Sequence, residues 1–398
     1  MGSWLVPRSA LTPDQLRAVE APGDGNRVVA GPSCSGKSVV LLHRARTLLD
    51  RAGLHPLEGY SPEGFRVLAF TNTVRDYLRA AAPLLRIPAD CIVTFDHWCR
   101  LFHEREIGPF PVRARVPDFS AIRQAVRRRV LADPSRHRQL LCALVDEGQD
   151  LPGEAYAILG VVARHVTVCV DADQQIFSRG STDEELRRLL GVSPESVSSL
   201  EAARTSPLIA RLAGRLLPAD EGRVPARVRP LPGPVETPLV LRAASRAEEG
   251  ARVASLAKER RERGERVAIL VPRRDQLPAM EGALATGGLD PGEEGPMVFT
   301  YHAAKGLSFD SVFLPRLVPS SFRGYGDEGA HRLLHVGVTR ATRWVCLSTV
   351  SGEELPLLQD LCRASGPADL TVQDALAPRR LEKAPPAQEP SNPLTDWL

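Results

Sequence analysis

Short unbroken apolar runs alternate along this chain with longer segments whose apolar positions recur every three or four residues. The runs RVVAG (27–31), FRVLAF (65–70), CIVTF (91–95), LLCALVDE (140–147) and VTVCVD (166–171) predict strands. Being apolar on both sides, they fit a parallel sheet covered on both faces. Helical patterns lie between them, as in KSVVLLHRARTLLDRAG (37–53) and LPGEAYAILGVVAR (151–164). That alternation is the layout of a doubly wound α/β domain.

A second alternation follows the Pro/Gly-rich stretch VPARVRPLPGPVETP (224–238). LVLRAAS, RVAILVPR, MVFTYHAA, SVFLPRL and RWVCLSTV predict strands, and RAEEGARVASLAKERRERG and RDQLPAMEGALATGG predict helices, the latter stopping at Gly287 and Gly288. The expected organisation is therefore an α/β domain over 1–200, a second over 205–370 and a Pro-rich, polar, disordered tail over 376–398. The tail ends in the apolar residues Leu394, Trp397 and Leu398, which read as a frayed end or as a short docking peptide.

Composition narrows the picture modestly. With 398 residues and 43% hydrophobic content, two domains can each bury a core. No run of about 18 apolar residues is present, so no membrane partner is expected. The opening residues lack an apolar signal segment, and GSWLVPRS reads either as native or as a remnant of cloning. Seven cysteines without a CxxC pair read as reduced thiols, so a cytoplasmic location is expected. Net charge is only +3, but its distribution is uneven. Residues 107–140 carry eight arginines against Asp118 and Asp133, a balance of +6. A solvated helix face and a phosphate-contacting surface explain that equally well.

Two patterns carry chemistry. Gly31-Pro32-Ser33-Cys34-Ser35-Gly36-Lys37-Ser38 fits G-x-x-x-x-G-K-[ST] between a predicted strand and a predicted helix. Its glycines let backbone N–H groups converge on a phosphate at a helix N-terminus. Lys37 would reach the β- and γ-phosphates, and the Ser38 hydroxyl would hold Mg²⁺. Asp146-Glu147 closes another strand; Asp146 suits a metal, and Glu147 suits a water that must lose a proton. ATP and Mg²⁺ are the cofactors these patterns point to.

The order of motifs resembles the UvrD/Rep-like superfamily 1 helicases over most of residues 11–350. LTPDQLRAV resembles the Q motif, AGPSCSGKS motif I, VLAFTNTVRDYL motif Ia and VTFDHWCRLF motif Ib. VDEGQD is similar to the Asp-Glu-Ala-Gln-Asp motif II, VDADQQIF to motif III, and AARTS sits where motif IV belongs. VFTYHAAKGLSFDSVFL resembles motif V and HRLLHVGVTRATRWVCL motif VI. The resemblance implies two RecA-like P-loop domains with parallel sheets and ATP in the cleft between them. It makes Gln15 the adenine contact, Gln174 the γ-phosphate sensor, Arg204 and Arg340 the arginines at the γ-phosphate, and Gly306 part of the nucleotide site. Thr71, Asn72, Thr94, His97, Trp98, Phe177, Thr300 and His302 become the grips on single-stranded DNA. Trp98 also reads as a core residue, and His97 and His302 as structural histidines.

The implied activity is an ATP-driven 3′→5′ translocase or helicase on single-stranded DNA or a tailed duplex. The alternative is an ATP-dependent DNA-sensing subunit that controls a partner, such as a nuclease, in a repair or defence complex. Departures from the family bear on that choice. Ala202-Ala203 stand where motif IV has Asn-Tyr, Ser308 replaces a glutamate in motif V, and IFSRGST lacks the tryptophan that follows motif III. The first accessory domain shrinks to the arginine-rich 107–140 segment, the second is missing, and no strand-separating wedge is apparent.

Overall fold

The computed structural model describes residues 4–52, 64–171, 183–200, 202–203, 205–216, 227–228, 233–292 and 295–374. The chain divides into two compact units, Gly2–Glu201 and Ala202–Ser391. Gln174, Phe177, Arg204 and the 376–398 tail lie outside the described residues.

In the first unit, in chain order, come α1 (Pro13–Glu20), β1 (Arg27–Ala30), α2 (Lys37–Arg51), β2 (Phe65–Ala69), α3 (Asn72–Ala81), β3 (Ile92–Thr94) and α4 (Phe95–Glu106). There follow β4 (Val112–Arg113), β5 (Val116–Pro117), α5 (Phe119–Ala132), α6 (Pro134–His137), β6 (Leu140–Val145), α7 (Gly153–Val162), β7 (Ala163–Val170), α8 (Asp183–Leu190) and β8 (Val197–Ser199). Six strands form one parallel sheet in the order β3-β2-β6-β7-β1-β8. Successive strand residues point to opposite faces. Val29, Val67 and Leu144 therefore join one core cluster, Val28, Leu68 and Val145 the other.

Local chemistry sets the helix starts. Thr12 caps α1 in a full capping box with Gln15, and Pro13 occupies the first turn. Thr71, Thr94 and Asp118 accept backbone N–H bonds as the caps of α3, α4 and α5. The helix expected over 151–164 is shorter: it ends at Val162, and β7 begins at Ala163 without a loop. Both elements are apolar all round, so periodicity could not separate them. The opening segment belongs to the fold. Trp4 stacks on Tyr77 at 4.3 Å, Leu5 is buried, and the Val6 carbonyl faces His43 Nε2 at 2.9 Å.

The arginine-rich segment forms the β4–β5 hairpin and α5. Ala114 and Arg115 at the hairpin tip both have positive φ, unusual for two consecutive non-glycine residues. Helix α5 buries Ile122, Val126 and Val130, while Arg127 and Arg128 face outward.

In the second unit, β9 (Ala202–Ala203) pairs with β10 (Arg227–Val228). The other elements are α9 (Pro207–Gly214), β11 (Leu239–Ala243), α10 (Arg246–Glu262), β12 (Val267–Val271), α11 (Leu277–Thr286), β13 (Met297–Thr300) and β14 (Phe309–Leu314). They continue with α12 (Gly326–Val338), β15 (Ala341–Val350), α13 (Pro356–Ala364) and β16 (Thr371–Asp374). The main sheet is again six-stranded and parallel, in the order β13-β12-β14-β15-β11-β16. Helix α11 stops as expected: Gly288 takes φ +74°, and Leu289 N–H donates to the Leu284 carbonyl at 2.9 Å. The expected α/β class with parallel sheets is the one observed. Among the described residues no helix is long and apolar enough to cross a membrane.

Candidate functional site

The loop between β1 and α2 has the geometry its glycines predict. Cys34 and Gly36 adopt φ +59° and +85°, and left-handed turns of this kind are the ones from which anion-binding nests are built. A Cβ on Gly36 would lie 2.5 Å from Gln15 Nε2, and one on Gly31 would lie 2.7 Å from Ser35 Oγ and 2.9 Å from Leu200 Cβ. Gln15 Nε2 donates to the Ser35 carbonyl at 2.8 Å, while Gln15 Oε1 accepts from Thr12 N–H at 2.9 Å. Gln15 therefore braces the loop from α1. Ser35 Oγ is enclosed, the residue being 2% exposed, and has no hydrogen-bond partner among the described residues.

Lys37 Nζ donates to the Gly31 and Pro32 carbonyls, both at 2.9 Å, and to Asp171 Oδ2 at 3.1 Å. Ser33 Oγ donates to the same Asp171 oxygen at 3.2 Å. Ser38 Oγ donates to Asp146 Oδ2 at 2.8 Å. Asp146 is fully buried, and burial, reinforced by the Glu147 charge, pushes its carboxyl up to about 7 against the opposing pull of Ser38 and Lys37. Glu147 sits at φ +51°, in the left-handed region. Gln149 Nε2 donates to Glu147 Oε2 at 2.6 Å, and Gln149 Oε1 accepts from Asp171 N–H at 3.1 Å. Gln149 thus ties the end of β6 to the end of β7.

Gln15, the 31–38 loop, Asp146 and Glu147 consequently meet at the carboxyl edge of the first sheet, where open parallel sheets bind ligands. Asp171 and Gln149 also belong to this cluster, although the sequence alone assigns neither a role. The available signal is a polar residue closing an apolar strand, Asp171 after VTVCV. The donor set fits a nucleotide with Mg²⁺. It offers an orphaned buried hydroxyl, a cradle that a Cβ would fill, and a hydroxyl–carboxylate pair. Among the described residues no group of three or more His, Cys, Asp or Glu could hold a metal. Ser38 and Asp146 would therefore hold magnesium together with phosphate oxygens and water, its usual mode.

Of the residues assigned to DNA in this unit, Thr71 and Thr94 accept from Val74 and His97 N–H at 3.2 Å each. Each hydroxyl still carries a proton to donate. Asn72 is exposed, its Oδ1 accepting from Arg75 at 2.8 Å. Burial, then the charges of Arg100, Arg75 and Arg79, lower the pKa of His97. Trp98 requires a correction: it is 9% exposed and packs between Phe95 and Phe102 in the core, so it offers no stacking face.

In the second unit, β13 ends at Thr300, whose Oγ1 accepts from Ala303 N–H at 3.3 Å and opens the turn toward Gly306, at φ +79°. Arg340 is 4% exposed. Its guanidinium donates to the Val336 and Leu307 carbonyls at 3.2 and 3.1 Å and to Thr339 Oγ1 at 3.4 Å. Thr205 Oγ1 donates to the Ala341 carbonyl at 3.0 Å, so the residue after Arg204 is anchored beside Arg340. A Cβ on Gly337 would lie 2.3 Å from Tyr301 Cε1, so the two strongest motifs of this unit interlock through that glycine.

Residues 297–348 match the UvrD-like helicase C-terminal domain. That UvrD-like stretch runs from β13 into β15 and contains Thr300, His302, Gly306 and Arg340. One solved structure similar to this chain is the C-terminal domain of a possible DNA helicase from Lactobacillus plantarum WCFS1. It is 21% identical, with 42% of this chain and 97% of that chain covered, at a TM-score of 0.33. No curated protein matches the chain.

Proposed function

We propose that this UvrD-like chain is an ATP hydrolase that moves along single-stranded DNA, with the 3′→5′ polarity implied by its resemblance to the UvrD/Rep-like helicases. The observation that carries the reading is the convergence of Lys37, Ser38, Asp146 and Glu147 at one sheet edge. Lys37 would exchange its carbonyl and Asp171 partners for β- and γ-phosphate oxygens. Glu147, held by Gln149, would take the proton of the water that attacks the γ-phosphorus. Magnesium held by Ser38 and Asp146 would supply neutralisation of the charge on the nucleotide's phosphates. Arg204 and Arg340 keep the role of stabilising charge at the γ-phosphate, and Gln174 that of sensing it. Thr71, Asn72, Thr94, His97, Thr300 and His302 hold the strand.

Phosphate release stimulated by single-stranded DNA, abolished in Lys37→Ala and Glu147→Gln, tests the hydrolase. Displacement of a labelled strand from a 3′-tailed duplex, and not from a 5′-tailed one, tests the motor. Stimulated hydrolysis without displacement of any strand or bound protein would replace the motor by the DNA-sensing subunit.

A further inference from the structure

Three loops at the carboxyl edge of the second sheet converge on Tyr325. The loop after β13 brings His302, whose ring lies 6.0 Å from that of Tyr325 with 25° between the planes. The loop after β12 accepts the Tyr325 hydroxyl at the Pro272 carbonyl, 3.4 Å away, and its Gln276 Nε2 donates to Ser321 Oγ at 2.7 Å. The loop after β14 carries Tyr325 itself between Gly324 and Gly326, at φ +91° and +64°. Both glycines take a left-handed backbone that other residues rarely adopt, so the chain can turn on either side of Tyr325.

This ring pair differs from the enclosed aromatics of the unit. Tyr301 and Trp344 are buried, whereas His302 and Tyr325 are both half-buried. Burial, with the nearby Lys305 charge, lowers the pKa of His302, which favours the neutral imidazole as a stacking surface. Arg323 and Arg274 are exposed on the same loops. The acids nearby are Asp275, paired with Arg273 at 3.0 Å, Glu328, paired with Arg332 at 2.7 Å, and exposed Asp327. An aromatic platform flanked by guanidinium groups is how proteins hold a single strand without reading its sequence.

We propose that Tyr325, stacked on His302, is a nucleobase platform for single-stranded DNA on the second unit, with Arg323 beside it for the backbone phosphate. The proposal rests on the single-stranded DNA reading above. It supplies a stacking surface on the second unit, whereas Trp98 of the first unit is buried.

The test compares a fluorescein-labelled oligo-dT with an abasic strand of equal length in anisotropy titrations of the full chain. Tyr325→Leu is expected to weaken oligo-dT binding roughly 5- to 150-fold and to leave abasic binding unchanged. Tyr325→Trp keeps a ring while losing the hydroxyl bond to Pro272, and is expected to retain oligo-dT affinity. Equal losses on both strands, or unchanged oligo-dT binding in Tyr325→Leu, would overturn the platform. A wild-type chain that binds neither strand would overturn the DNA reading beneath it.

Discussion

Lys37 Nζ lies 3.1 Å from Asp171 Oδ2, and both groups are buried. Any phosphate that recruits Lys37 must therefore compete with an ion pair in a low-dielectric setting, where separating charges is costly. Asp171→Asn keeps the shape and lowers that cost. ADP affinity, measured by isothermal titration, is expected to rise about tenfold, the difference between a charged and a neutral hydrogen bond. A fall in affinity would mean that Asp171 serves the bound nucleotide instead.

Gly148 stands where the related motif has alanine, and the structure explains the change. A Cβ there would lie 2.1 Å from Val168 Cγ1 and 2.8 Å from Tyr156 Oη. Tyr156 fills the space and donates to the Gly148 carbonyl at 2.5 Å. Gly148→Ala is expected to cost about 1–3 kcal/mol in urea denaturation, the usual penalty of overpacking. Adding Val168→Ala should recover part of it, so the double variant is less destabilised than the two single effects combined.

The strands were legible because buried parallel strands are unbroken apolar runs, and the phosphate loop because Gly31, Gly36, Lys37 and Ser38 stand at a fixed spacing between a strand and a helix. The partner of Lys37 was not legible: Asp171 is 134 residues away, and no local pattern announces such a pairing. Trp98 was ambiguous because a helical aromatic looks the same whether its ring meets a base or Phe102. The β4–β5 hairpin escaped notice because its turn, Ala114-Arg115, lacks the glycine or asparagine that marks such turns. Gly148 could be understood only once Val168 was placed against it.

His165 should make the first unit sensitive to acid. Burial, then the Arg44 guanidinium 3.2 Å from its Nε2, drops its pKa from 6.5 to about 4, against a bond to the Gly25 carbonyl. The unfolded chain therefore binds more protons between those values, and stability falls as pH drops from about 6.5 to about 4. The loss attributable to this group is on the order of 3 kcal/mol. His165→Gln has no charge to acquire. Its denaturation midpoint should change less between pH 7 and pH 5 than that of the wild type; equal changes would assign the acid sensitivity elsewhere.

Arg127 and Arg128 follow Val126 on α5, so burial of that valine turns both guanidinium groups outward, while Arg129 is half-buried. If the +6 segment meets phosphates, each of the two exposed residues contributes to counterion release. The double substitution Arg127→Glu, Arg128→Glu is then expected to weaken single-stranded DNA binding. It should also reduce the slope of log affinity against log salt by about 0.7 for each phosphate that is no longer neutralised. Hydrolysis without DNA should stay unchanged, because neither residue approaches Lys37 or Glu147 along the chain or through a described bond. Fluorescence titrations at several salt concentrations measure both quantities. An unchanged slope would make this helix face a solvated surface and shift the DNA path to the loops that carry Thr71, Thr94 and His302.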